Sequence, residues 1–244
     1  MYPPIEELID HVWSPPRGVK RQQKSRHHPD NLQYYCQWGY TIYRTYYSPE
    51  SDRYWNVLLN SLMQQTRLAF GCFEDQDDVD QRDVQLLKDL FHLDTREDAS
   101  LLDGLDVRGV RELFQREGFE GKCAMADRLW NFVLVADESV LKDIASRESI
   151  VKAMSLGWYE GFSGWGWMRI PTSYLLDLWI FLSRSGNTKS ALGFMGPEKD
   201  LDTYVWPGDV SLEATGCFSE VRLLLFHYTG QRWNSGILRK IQRF

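Results

Sequence analysis

Cysteine and histidine are scarce and scattered in this chain. Cys36, Cys72, Cys123 and Cys217 form no CxxC pair, and His11, His27, His28, His92 and His227 stand in unrelated contexts. That distribution argues against a disulfide framework and supplies no compact zinc ligand set, so free thiols and a protein without metal or cofactor are expected. Familiar catalytic signatures are missing too. With no GxSxG elbow, HExxH helix or Walker loop, serine hydrolase, zinc protease and ATPase chemistry are poor choices. Cationic excess is also lacking: 28 Lys and Arg stand against 34 Asp and Glu, a formal charge of -6. A global positive field of the kind that draws duplex DNA is therefore not expected, although local basic patches remain open. The apolar runs VRLLLF (221–226) and YLLDLWIFL (174–182) are far too short to span a bilayer. The opening MYPPIEELIDH carries acids and prolines where a signal peptide needs a basic start and an apolar stretch, so no membrane partner and a cytosolic location are expected.

What is abundant is aromatic and apolar mass. The 244 residues are 43% apolar and 14% aromatic, ample for the core of one large domain or two small ones. The chain is organised around WGYTIYRTYY at 38–47. At a period of two, Trp38, Tyr40, Ile42, Arg44 and Tyr46 share one face and Thr41, Tyr43, Thr45 and Tyr47 the other, with bulk on both, as in a strand covered on both sides. Ser48-Pro49-Glu50 offers an N-cap, a first-turn proline and an acid, and Trp55, Leu58, Leu59 and Leu62 follow at amphipathic spacing, so a helix laid on that strand is expected.

Elsewhere the pattern predicts a helix within 1–13, a short strand at 69–73, a helix through Val84, Leu87, Leu90 and Phe91, and another from Val107 to Phe114. The acidic stretch EDQDDVDQRD (74–83) lacks the order of a calcium loop and reads as a solvated, dipole-favoured helix start, or else as a surface for a cationic ligand or the basic arm. WNFVLVA (130–136) is the clearest buried strand. Asp137 follows it as the N-cap of a helix through Val140, Leu141 and Ile144. VKAMS and the segment beginning near Trp165 form a hairpin whose long loop holds Trp158, Tyr159 and Phe162. Thr172 opens a helix through Leu175, Leu178, Trp179 and Leu182; 184–203 reads as a loop, and 205–209 as a sharp turn. Residues 219–228 read as a strand or a short helix, and 237–244 as a frayed helix. The expected architecture is α+β: a single globular domain (31–244) with a mixed or mainly antiparallel central sheet and packed helices, preceded by an N-terminal helix and basic extension (1–30).

Candidate site residues follow from placement. Arg44 lies inside a strand, where a guanidinium must pair with a carboxylate or carbonyl or else hold a bound anion. Asp137 ends a central strand, where α/β ligands collect. Arg169 lies on the hairpin's return strand. If these strands share one sheet, Arg44 would bind a carboxylate or phosphate, Arg169 would stabilise developing negative charge, and Asp137 would orient an amine or guanidinium. Tyr43 or Tyr46 would place a proton or pack a substrate, and Trp165 or Trp167 would form a wall. The alternative is an Arg-Asp pair joining strand ends. Arg17, Lys20, Arg21, Lys24 and Arg26 form either a solvated connector or an arm for RNA phosphates, with Arg239 and Lys240 as a second patch.

On WGYTIYRTYY, ADESVLKDI (136–144), GWGWMRI (164–170) and VWPGD (205–209), from about residue 38 to residue 232, the chain resembles a large, poorly characterised family of intracellular proteins of filamentous fungi. The resemblance implies a cytosolic protein encoded with a natural-product pathway. In size and charge pattern it is also similar to fungal arginine-containing cyclodipeptide synthases, although no catalytic residue of that group is matched here. That similarity implies cofactor-free, tRNA-dependent aminoacyl transfer closing an arginine-containing cyclic dipeptide, with aminoacyl-tRNA and an amino acid as partners. The alternatives are a non-catalytic ligand-binding or interaction protein, and a cofactor-free cyclase or hydrolase of a small metabolite.

Overall fold

The aromatic run at 38–44 becomes an inner strand of a five-stranded sheet. The computed structural model describes residues 4–18, 26–74, 77–117, 132–159, 164–184 and 197–206. The strands are β1 (Trp38–Arg44), β2 (Phe91–Arg96), β3 (Phe132–Ala136), β4 (Ile150–Ser155) and β5 (Trp167–Pro171), in the order β2-β1-β3-β4-β5. β1 runs parallel to both β2 and β3, whereas β3-β4 and β4-β5 are antiparallel, so the sheet is mixed. The longer helices are α1 (Ile5–Val12), α2 (Ser51–Ala69), α3 (Gln81–Leu90), α4 (Val107–Glu117), α5 (Glu138–Ala145) and α6 (Leu175–Arg184). Among the described residues no helix is long and apolar enough to cross a membrane.

Both faces of the sheet are covered, as the double aromatic pattern of β1 requires. On the first face Trp38, Tyr40, Ile42, Leu134, Val151, Ala153, Met168 and Ile170 meet the apolar sides of α1, α2, α3, α5 and α6 in the main core. Trp38 is central there: its ring lies 4.4 Å from that of Trp179 and 4.8 Å from that of Phe91, and its Nε1 donates to the Leu87 carbonyl at 2.7 Å. Tyr40, buried beside it, donates its hydroxyl to the Leu175 carbonyl at 3.1 Å. The apolar side of α1 (Ile5, Leu8, Ile9 and Val12) is buried in this same core. The second face is smaller. Tyr43, Val133, Val135 and Met154 pack there with Val110 and Leu113 of α4 and with Leu102.

Several local expectations are corrected. α2 begins at Ser51, three residues beyond the proposed Ser48 cap, because the Ser51 hydroxyl donates back to the Ser48 carbonyl and accepts the Ser48 N–H, both at 2.7 Å. Residues 69–73 are helical: α2 runs to Ala69, and a turn at Gly71–Glu74 follows, burying Phe70 and Phe73 three residues apart. β2 was not anticipated. Its Phe91 and Leu93 alternate inward while Asp94 and Arg96 lie toward solvent, a pattern too short and polar to stand out beside the preceding helix. Gly39 admits this neighbour: its φ is +140°, and a Cβ there would collide with the His92 carbonyl of β2.

Candidate functional site

Strand parity decides which of the proposed residues can meet. Arg44 pairs in register with Ala136, in the row of the first face, whereas Tyr43, Val135, Lys152 and Arg169 are successive partners in one row across the second face. Neighbouring residues of a strand point to opposite faces. Arg44 and Arg169 are therefore on opposite sides of the sheet, and the expected three-residue pocket with Asp137 does not assemble.

Each proposed residue has a definable place. The Arg44 guanidinium is buried, donating Nη2 to Asp52 Oδ1 at 2.5 Å and Ser51 Oγ at 2.7 Å, and Nε to the Tyr46 carbonyl at 3.2 Å. It also lies 4.5 Å from the Tyr47 ring centroid. These contacts tie the end of β1 to the start of α2, the carboxylate-paired alternative for this arginine. Tyr43 is buried in the second core, and Tyr46 is half-buried against the first. Trp165 packs against the main core, and Trp167 touches both. Arg17 is exposed; Lys20, Arg21, Lys24, Arg239 and Lys240 lie outside the described residues. Arg26 is buried, 3.6 Å from Asp10 and 3.5 Å from Asp83, and so is turned toward protein carboxylates.

Asp137 and Arg169 do belong to one cluster, centred on Lys152. Asp137 caps α5, accepting the Val140 N–H at 3.1 Å and the Ser139 hydroxyl at 2.8 Å, and its other oxygen accepts Lys152 Nζ at 2.6 Å. Burial alone would raise this carboxyl's pKa, but the Lys152 charge and these hydrogen bonds outweigh it and hold the group below its ordinary value. Arg169 stands directly opposite Lys152 on β5 and donates to the Asp143 carboxylate and the Asp202 carbonyl. Lys152 Nζ lies 4.7 Å from the Trp167 ring centroid and 3.8 Å from Asp202. Like charges facing each other across strands are destabilising unless compensated. Here Asp137, Asp143 and Asp202 supply the compensation. The segment at 204–206 completes the edge, Val205 bridging Arg169 and the Trp206 N–H donating to the Arg169 carbonyl at 2.8 Å.

Farther along β4 lies a residue not singled out from the sequence. Arg111 of α4 is 7% exposed. Its Nε donates to the Ser155 carbonyl at 3.2 Å, and its guanidinium lies 4.8 Å from the Trp158 ring centroid. Nη2 is buried without a hydrogen-bond partner, and no carboxylate is paired with this cation among the described residues. Burial lowers its pKa, the Arg108 charge adding to the effect and Asp106 opposing it. Trp158 is seated on Gly166, where a Cβ would collide with the indole and φ is +73°, and its Nε1 donates to the Gly164 carbonyl at 3.1 Å. A sequence signal for Arg111 existed: it lies four residues after Val107 and three before Phe114, on the apolar stripe of its helix.

No family model, no curated protein and no solved structure matches this chain. The expectation of a fungal tRNA-dependent cyclodipeptide synthase is corrected on that finding, since it stood on a resemblance that none of these comparisons supports.

Proposed function

We propose that the protein is a non-catalytic binder of a small organic anion, received by Arg111 at the second face of the sheet. The observation that carries this reading is a buried guanidinium with an unused donor and no carboxylate in salt-bridge contact among the described residues. Such a group is costly unless an anion completes it. Trp158 and Trp167 border the same region and suit a ligand with a flat or apolar body next to its negative group. Binding is favoured over catalysis by the state of the neighbouring cluster. The Asp137 carboxylate is engaged by a helix cap and Lys152, so it is held as an acceptor and not poised as a base near neutral pH.

The test is a tryptophan-fluorescence titration with aromatic carboxylates, aliphatic carboxylates and sugar phosphates, alongside Arg111→Met and Arg111→Lys proteins shown to fold by circular dichroism. Saturable quenching by one anion class is expected, weakened about 30-fold or more in Arg111→Met and partly retained in Arg111→Lys. Lack of saturation by every class, or an undiminished response in Arg111→Met, would overturn the reading.

A further inference from the structure

A second cluster lies where the chain following α1 meets the start of α3. Asp80 is the N-cap of α3, its Oδ1 accepting the Arg82 N–H at 2.9 Å, and Asp83 follows in the first turn. An acid at Asp83's position ordinarily reaches back to the N-cap backbone N–H. Asp83 does not do so. Its side chain is 0% exposed, and both carboxylate oxygens lack a hydrogen-bond partner among the described residues. His27 approaches from the segment held by the buried Arg26. Its Nε2 lies 3.2 Å from Asp83 Oδ1 and 3.6 Å from Asp80 Oδ2, yet this buried nitrogen makes no hydrogen bond to either.

These distances suit metal coordination. A tetrahedral zinc ion bound at about 2.0–2.2 Å to nitrogen and oxygen sets its ligand atoms roughly 3.3–3.6 Å apart. The candidate donor atoms of His27, Asp80 and Asp83 all lie within 4.8 Å of one another. We propose that His27 Nε2, Asp80 Oδ2 and Asp83 Oδ1 form a binding site for one divalent transition metal, zinc being the best match, with solvent as the fourth ligand. One imidazole with two carboxylates suits zinc or a neighbouring first-row ion, whereas calcium takes six to eight oxygen ligands. Two cations border the site. Arg26 faces the other Asp83 oxygen at 3.5 Å. Arg82 Nη2 contacts Asp80 Oδ2 at 2.7 Å, but its side chain is 73% exposed and can keep Oδ1 through Nε, now at 3.1 Å.

The metal would act as a clamp. Arg26 already links Asp10 of α1 to Asp83 of α3, and the ion would fasten the next residue of the same segment to the same turn. A metal-free expectation arose because His27 is far in sequence from Asp80 and Asp83, so no ligand spacing announces them.

The experiment uses full-length protein stripped with chelator and titrated with Co²⁺ and Zn²⁺. It follows stoichiometry by calorimetry, Co²⁺ geometry by visible absorption, and stability by thermal melting. Wild type is expected to take one equivalent with a tetrahedral Co²⁺ spectrum and a raised Tm. His27→Gln and Asp80→Asn should weaken binding at least tenfold, while His28→Gln, at the neighbouring exposed imidazole, should bind as wild type. Asp83→Asn is included but not relied on, since its site is fully buried. Absence of stoichiometric binding, or binding that survives both His27→Gln and Asp80→Asn, would overturn the site.

Discussion

At the scale of single residues, the charged side chains inside this fold divide by how their charge is answered. Arg44 is answered by the Asp52 carboxylate, with Ser51 and the Tyr46 carbonyl beside it, whereas Arg111 has one carbonyl and an aromatic face. Lys152 and Asp137 answer each other, with consequences for acid stability. Because the folded Asp137 carboxyl has a pKa below its ordinary value, near 3.9 in unfolded chains, its contribution is fully present above that value. It is lost as pH falls through the lower, folded pKa. Lys152→Met removes the main group opposing burial, so the mutant should be less stable at pH 6 and lose less further stability between about pH 4 and pH 2. Urea midpoints measured across that range test this. Parallel acid limbs for mutant and wild type would show that Lys152 does not govern the Asp137 ionisation.

At the scale of elements, the strongest expectation concerns β3. Leu134 is fully buried at the centre of the main core and pairs with both Ile42 and Ala153. Leu134→Ala should cost about 2–5 kcal/mol, read as a lower denaturant midpoint at unchanged slope. A shift below about 1 kcal/mol would mean the core relaxes around the gap. β1, β3, β4, β5 and the helices around them were legible in the sequence because their apolar periods are long and bounded by Asp137, Pro171 or Gly. β2 was not, since only Phe91 and Leu93 mark it. The run at 69–73 misled for the reverse reason: Phe70, Cys72 and Phe73 are too few to separate a strand from the end of a helix. Arg111 could have been found from its place on the apolar stripe of α4. The approach of His27 to Asp83 could not, because it depends on where a segment without apolar periodicity comes to rest.

At the scale of the whole molecule, the mixture of pairings fixes which residues share a surface. Sequence patterning places Arg44, Asp137 and Arg169 near strand ends. Only the register places Arg44 on one face and the other two with Lys152 on the opposite one. The same mixture orders the assembly of the fold in time. β3, β4 and β5 succeed one another along the chain and pair antiparallel, so their contacts close short loops. β1 must find β2 and β3 across long intervening stretches and pair with both in parallel, a slower and entropically dearer search. The antiparallel half should therefore form first as a template, with β1 inserted between β3 and β2 late. In pulsed hydrogen exchange during refolding, amides of Val151, Ala153 and Ile170 should gain protection before those of Tyr40 and Ile42. Simultaneous protection of both sets would mean that no template precedes the insertion. If the order holds, β3 spends part of every folding event as an open edge. Its apolar row, Phe132 to Ala136, would then be the place where two half-folded chains could pair with each other.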